Sequence, residues 1–337
     1  MPAISVLMPC HNCSQTLPAA LDSLLEQNFS DFEILAVNNG STDATAEILQ
    51  SYAGLEPRLR VLSLQQAGIV NALNYGLAQA KGCYVARMDA DDMCLPTRMQ
   101  DQIDYLEAHP QVGLVGGQVI HQDGPEPSPG RAAYVQWHNR LITPEQCTVH
   151  RFVECPLAHP TFMFSRSLVS QLGGYRYGQF PEDYELVLRF AEHGVGLGKV
   201  PKPVIIWRDG PTRLSRRDPR YFQSAMYTLK SPFLARWLAQ NNPYHPEVIV
   251  LGAGRESRKR VAWLKQEGIR VTAYADISPG KIGQRINGLR VLPLNELPSP
   301  GQCFCLSYVG QRGMGSRICA YLLDQGYALG RDFLLAA

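Results

Sequence analysis

Apolar positions along the N-terminal part of the chain switch repeatedly between strand-like runs and helix-like stripes. Residues 4–8 form an apolar run, and residues 14–27 then carry Leu17, Ala20, Leu21, Leu24 and Leu25 at helical spacing. Residues 32–37 predict a second strand, ended by Asn38-Asn39-Gly40-Ser41, after which Asp43 is placed to cap a helix reaching Tyr52. A third strand at Leu59–Leu64 precedes a helix over 69–80 that stops at Gly82. Residues 83–88 predict the fourth strand, and Asp89-Ala90-Asp91-Asp92 follows its carboxyl end, before a helix signal at Leu95-Pro96. Strand and helix in turn predict an α/β chain with a mostly parallel sheet, whose ligands gather beyond the strands' C-terminal ends. Asn12, Asn39 and Asp91 all fall on that edge.

The rhythm restarts after Asn241-Asn242-Pro243-Tyr244-His245-Pro246, a turn-rich linker. Residues 248–251 predict a strand, Gly252 and Gly254 a tight turn, and a helix then runs to Gln266. A strand over 271–275 ends in Asp276, and a further strand at 303–308, a helix after Gly313 and a short strand at Phe333–Leu335 complete the pattern. We therefore expect two domains, 1–241 and 246–337, which suits 337 residues.

Composition narrows the function classes. Lys and Arg total 32 against 30 Asp and Glu, so no global field draws the protein to nucleic acid. Apolar runs all break well short of the ~18 residues that span a bilayer, and the N-terminus lacks a basic leader, which predicts a cytosolic protein. Nine scattered cysteines read as reduced thiols. Cys10-His11-Asn12-Cys13 lacks a second ligand pair at matching spacing, and reads as a turn after the first strand rather than a zinc or redox site.

Three carboxylates crowded at a strand end repel one another, a cost relieved if a divalent cation and a phosphorylated ligand bind there. A turn capping the next helix is the plainer alternative, but one acid suffices for a cap. The sequences Ile4-Ser5-Val6-Leu7-Met8-Pro9, Leu24-Leu25-Glu26-Gln27-Asn28-Phe29 and Glu33-Ile34-Leu35-Ala36-Val37-Asn38-Asn39-Gly40-Ser41-Thr42-Asp43 resemble the opening of family 2 glycosyltransferases. Ala86-Arg87-Met88-Asp89-Ala90-Asp91-Asp92, with Leu95-Pro96-Thr97-Arg98 after it, resembles that family's metal-binding acidic motif, and the likeness covers about residues 3–215. The resemblance implies a GT-A fold and an inverting sugar transfer from a nucleotide-diphosphate sugar, with Mn²⁺ or Mg²⁺. It also implies a cytosol-facing role in bacterial surface glycan or glycolipid synthesis. It assigns Asp91 to the metal, Asp89 to the ribose side, and Asp92 to the loop or to the metal through water. Pro9, His11, Asn12, Asn39, Gly68 and Asn74 join Asp89 and Asp91 as donor-binding positions.

A second constellation is Pro181-Glu182-Asp183-Tyr184-Glu185-Leu186, which opens a helix running to His193. By the resemblance, Asp183 is the general base and Glu182 an acceptor or supporting contact. Inverting displacement needs one carboxylate to take the acceptor hydroxyl's proton. Helix capping is the alternative for Asp183, because carboxylates suit helix starts. Residues 159–164 read as a strand that delivers His159 either to the acceptor or to a satisfied place in the core. Trp207-Arg208 and Arg213-Leu214-Ser215 resemble the tail that closes over the diphosphate. Five Arg against two Asp over 208–220 form a basic patch, able to grip phosphate or an anionic lipid-linked acceptor at the inner membrane face, or else a solvated loop. Asn38-Asn39 stands where many relatives carry two acids. Since Asn donates and accepts, Asn39 still suits uracil, and a UDP-sugar is the default donor.

Gly252, Gly254 and Asp276 match a nucleotide-binding turn in part, with Ser257 where a third glycine would stand. Residues 247–297 also resemble the nucleotide-binding half of nucleotide-sugar acyltransferases, notably over Lys281-Ile282-Gly283-Gln284-Arg285-Ile286-Asn287-Gly288-Leu289-Arg290-Val291-Leu292. We read a small Rossmann-like module for nucleotide binding or for docking. Two rival functions remain, a sugar nucleotidyltransferase and an NAD- or nucleotide-binding protein acting through this module. Residues 124–130, with three prolines, follow no pattern.

Overall fold

Strand β1 (Ile4–Cys10) is buried along its whole length, because it lies inside a sheet covered on both faces. With β2 (Phe32–Asn39), β3 (Leu59–Leu64) and β4 (Tyr84–Arg87) it forms a parallel block in the order β3-β2-β1-β4. Val6, Met8, Ile34 and Ala36 face Leu17, Leu21 and Leu24 of the helix Leu17–Leu25. On the opposite face Gly76, in the helix Ile69–Gln79, lies so close to Leu7 that a Cβ would collide with it. The computed structural model describes residues 1–124, 129–210 and 213–337.

The other half of this sheet departs from the parallel pattern. β5 (Met93–Cys94), β6 (Val112–Gln122), β7 (Met163–Ser165) and β8 (Gly196–Arg208) extend the order to β4-β7-β6-β8-β5. β7 is antiparallel to both β4 and β6, while β6 and β8 run parallel. Neither long strand was legible in the sequence. β6 holds Gly113, Gly116 and Gly117, and β8 holds Pro201 and Pro203, residues that argue against strands. The pairing explains them, since Gly117 abuts the Val204 side chain too closely for any Cβ and the register shifts there.

The strand expected over 159–164 is a turn of 3-10 helix at His159–Thr161 followed by the short β7. Pro160 has no N–H for a ladder, and Thr161 Oγ1 and N both donate to Ala158 O. Between 121 and 158, where no element was expected, lie the helices Pro129–Arg140 and Pro144–His150, while 125–128 lie outside the described residues.

His138, near the end of the first of these helices, is wholly buried, and its Nε2 accepts from the Ala158 amide at 3.0 Å. Burial, and then the Lys199 charge, lower its pKa to about 3, so it stays neutral when folded. The unfolded chain binds that proton at about pH 6.5, so stability falls as pH drops from there towards the folded pKa. We expect up to about 1.4 kcal/mol lost per pH unit in that window, with His159 acting in the same direction. Urea denaturation near pH 7 and near pH 5 checks this. His138→Gln should flatten the slope, and parallel losses in the two proteins would exclude the explanation.

Backbone contacts divide the chain into one unit of Met1–Thr148 and Pro156–Tyr221 and another of Val149–Cys155 and Phe222–Ala337. The helix Gln223–Asn241, which the pattern placed in the first domain, thus groups with the second. In the second unit its buried Lys230 Nζ donates to Phe152 O (2.8 Å), Val153 O (3.1 Å) and Ala336 O (2.9 Å), which fastens the stretch Val149–Cys155 there. β9 (Glu247–Leu251), β10 (Arg270–Asp276), β11 (Arg285–Ile286), β12 (Leu289–Pro293), β13 (Cys305–Ser307) and β14 (Phe333–Leu335) make its sheet, ordered β11-β12-β10-β9-β13-β14. Apart from the β11–β12 hairpin the pairs are parallel, and strand order reverses between β9 and β13 as in doubly wound sheets. Among the described residues no helix is long and apolar enough to cross a membrane.

Candidate active site

The loops after β1, β2 and β3 are laced together at the carboxyl edge of the first sheet. His11 Nδ1 meets Asn39 O at 2.8 Å, and Asn12, held at φ 48°, accepts from the Thr42 amide at 2.8 Å. Asn39 Oδ1 accepts from the Gly68 amide at 2.8 Å, which leaves the Asn39 Nδ2 as the group turned to donate. Pro9 is buried within β1. A cavity of about 410 Å³ opens beside Gly68 and Asn71, across from Tyr177, Gln179 and Arg220. None of the clustered aspartates lines that cavity, so the site is defined by its charges.

Asp89, Asp91 and Asp92 follow β4, and one carboxylate oxygen from each lies within 4.8 Å of the others. Their environments differ. Burial pushes Asp89 up, but Arg87, 2.5 Å away, and then Arg213 bring it down to about 2. Burial raises Asp91 and lifts Asp92 well above the usual carboxylate range, with Arg213 opposing in both cases. Asp92, with no exposed side-chain surface, accepts from the Arg208 amide at 2.9 Å and so holds the end of β8. Asp91, with 38% of its side chain exposed, is the most open of the three. Two of three clustered carboxylates thus lack enough positive charge, and their oxygen-only donor set fits a hard divalent cation.

The second acidic centre is built on the helix Glu182–Glu192. Its Arg189 is buried against Glu185 at 2.8 Å and donates to Leu172 O, Gly173 O and Gly174 O, which fixes the Gly173-Gly174 turn. From the other side, Asn74 Nδ2 donates to Tyr175 O at 2.8 Å and Asn74 Oδ1 accepts from Tyr175 N at 2.9 Å. A Cβ at position 174 would collide with Asn74, so glycine is required there. Asn74, expected on the donor, therefore has both ends of its amide engaged with the Tyr175 backbone.

Tyr175 is buried next to His159. Its hydroxyl lies 2.9 Å from His159 Nε2, and after burial the charges of Arg87, Glu182, Asp183 and Asp89 all act on it. His159, whose pKa burial pushes well below the usual imidazole range, is set between the Phe162 and Tyr175 rings. Glu182 is buried and accepts from Tyr221 Oη at 2.8 and 2.6 Å. Asp183 is only partly buried, and its Oδ1 accepts from the Tyr184 amide at 2.7 Å. It lies inside the first turn of the helix and engages an amide there.

The basic stretch over 208–220 is less open than its composition suggests. Arg216 pairs with Asp209 and Arg220 with Asp218, each at 2.6 Å, while Arg208 Nη2 contacts Met93 Sδ. Residues 211–212, and the side chains of the tail residues Leu214 and Ser215, lie outside the described residues. Trp207 is buried, with Arg131 at 4.4 Å and Arg213 at 5.3 Å from its ring. In the second unit Asp276 is also engaged internally. It accepts from the Ala253 amide at 2.9 Å and from Lys281 Nζ at 3.0 Å, so it braces the Gly252–Gly254 turn. Sequence reasoning missed Arg87, Tyr175 and Tyr221. A charged residue closing an apolar strand was the one signal for Arg87.

The chain belongs to glycosyl transferase family 2, whose family model matches residues 5–173. The amylovoran biosynthesis glycosyltransferase AmsE of Erwinia amylovora is 32% identical over 234 residues, which cover 67% of this chain and 85% of that one. Its fold is GT-A. Staphylococcus aureus TarS 1–349, in complex with UDP-GlcNAc, superimposes with a TM-score of 0.54 at 16% identity, covering 79% of this chain and 71% of that one. The mannosyltransferase PcManGT of Pyrobaculum calidifontis, in complex with GDP-Man and Mn²⁺, gives 0.50 at 21%, covering 71% and 64%. Family membership decides for a glycosyltransferase over a nucleotidyltransferase.

Proposed function

We propose that this enzyme transfers a sugar, with inversion, from a nucleoside-diphosphate sugar to an acceptor hydroxyl in bacterial polysaccharide synthesis. The observation that carries the reading is the clustering of Asp89, Asp91 and Asp92, whose carboxylate oxygens lie within 4.8 Å of one another after β4. That cluster suits the departing diphosphate, and Asp183 the incoming alcohol. The complexes of TarS with UDP-GlcNAc and PcManGT with GDP-Man and Mn²⁺ support a nucleotide-sugar donor, and AmsE supports a polysaccharide product.

Asp91, with Asp89 and Asp92, would hold Mn²⁺ or Mg²⁺, which as a Lewis acid offsets charge on a leaving diphosphate. Arg87 fixes Asp89 so that the cluster keeps its shape. The His11, Asn12, Asn39 and Gly68 loops cradle the nucleoside, with Asn39 Nδ2 donating to a carbonyl of the base. A uracil offers such a carbonyl, and UDP-sugar is the favoured donor. Asp183 takes the proton of the acceptor hydroxyl as its oxygen attacks the anomeric carbon from the face opposite the diphosphate. Glu182, held by Tyr221, supports that helix start. In the second unit, the reversal point between β9 and β13 makes nucleotide binding our reading of its role.

A panel of nucleotide sugars, assayed with and without Mn²⁺ for nucleoside diphosphate and for pyrophosphate, tests the reading. We expect metal-dependent release of nucleoside diphosphate from one donor. Pyrophosphate as product, or release indifferent to chelation, would refute it.

A further inference from the structure

Resting on the reading that a divalent cation binds at Asp89, Asp91 and Asp92, we propose that Arg213 is an internal counter-ion occupying the cation's seat, so metal binds well only when a diphosphate arrives to take the displaced guanidinium. Arg213 Nη2 lies 3.4 Å from Asp89 Oδ2 and 3.4 Å from Asp92 Oδ1, and its Nε lies 3.4 Å from Asp91 Oδ2. One guanidinium therefore faces all three carboxylates, with only 9% of its side chain exposed. A coordinated cation needs those oxygens at about 2.0–2.2 Å, in the volume that the guanidinium fills, and it repels a positive neighbour.

The contact lengths make this seat releasable. Charge-assisted hydrogen bonds settle near 2.7–2.9 Å. Arg87 grips Asp89 at 2.5 Å, whereas the Arg213 guanidinium stands 3.4 Å from each of the three carboxylates. Field and the Trp207 ring, 5.3 Å away, hold Arg213 in place. Charge favours the exchange, because a divalent ion in place of Arg213 brings one more positive charge to the three carboxylates. The released guanidinium then needs an anion, which a nucleoside diphosphate supplies. Metal and donor thus bind as a coupled pair, each raising the affinity of the other.

Electron spin resonance titration of Mn²⁺, first alone and then with UDP, tests the idea on wild type, Arg213→Gln, Arg213→Lys and Asp91→Asn. Without nucleotide, Arg213→Gln should bind Mn²⁺ about tenfold tighter or more, with Arg213→Lys between. UDP should tighten Mn²⁺ binding strongly in wild type and weakly in Arg213→Gln. The rise in melting temperature on adding Mn²⁺ should likewise be larger in Arg213→Gln, and the metal-free melting curve of each variant reports its folding. Unchanged or weaker Mn²⁺ binding by Arg213→Gln, with Asp91→Asn still abolishing it, overturns the role of Arg213 alone. Mn²⁺ binding that Asp91→Asn leaves intact, or that no protein in the set shows, overturns the metal reading as well.

Discussion

Replacing Asp183 by Asn should lower kcat about 10²–10⁴-fold while leaving donor binding unchanged, the range expected when a general base is removed. The substitution is selective because of what Asp183 does in the fold. Its Oδ1 accepts from the Tyr184 amide, and an Asn carbonyl oxygen accepts in the same way, so the helix Glu182–Glu192 keeps its start. What Asn cannot do is take a proton from the acceptor. Nucleoside diphosphate release with acceptor present reads the chemical step, and calorimetric titration with the donor reads binding. Glu182→Gln is the contrast, since its carboxylate is buried under Tyr221 and its loss should show in stability before activity. Turnover within tenfold of wild type in Asp183→Asn would leave Asp183 with a role in the helix's first turn alone and move the base elsewhere.

Asp91→Asn should abolish Mn²⁺ binding and cut turnover at least about a hundredfold, since a bound Lewis acid contributes several kcal/mol to such a transition state. The fold should not suffer. Asp91 is the most open of the three acids, and burial already raises its pKa, so removing its charge relieves repulsion from Asp89 and Asp92. Asp92→Asn should behave differently. That carboxylate is buried and accepts from the Arg208 amide, so its change is felt at the end of β8 as well as at the metal. Urea melts beside Mn²⁺ titrations separate the two, and full metal-dependent activity in Asp91→Asn would remove it as the ligand.

Legibility followed the locality of the signal. Asp89, Asp91 and Asp92 are close in sequence and also in space, since one loop leaving one strand carries all three, and their clustering could be read directly. Asn74 was legible as a polar residue on a helix, but its partner is Tyr175, a hundred and one residues on, and no local pattern announces that pairing. His159 likewise presented a local context compatible with a pocket or with the core, and its neighbours, the Tyr175 and Phe162 rings, could not be read from that context. The basic stretch over 208–220 looked like an open patch because composition counts charges without their partners, Asp209 and Asp218 among them.

By itself the sequence determined the parallel block β1 to β4, the strands and helices that surround the Gly252 turn, and the acid-rich edge, because burial on both faces and helical periodicity act over a few residues. Only the tertiary structure decided that β6 and β8 pair despite their glycines and prolines. It alone brought Arg208 and Arg213 to the aspartates. Those contacts join residues far apart along the chain, and their energies depend on burial and on neighbouring charge, which exist only once the sheet has assembled.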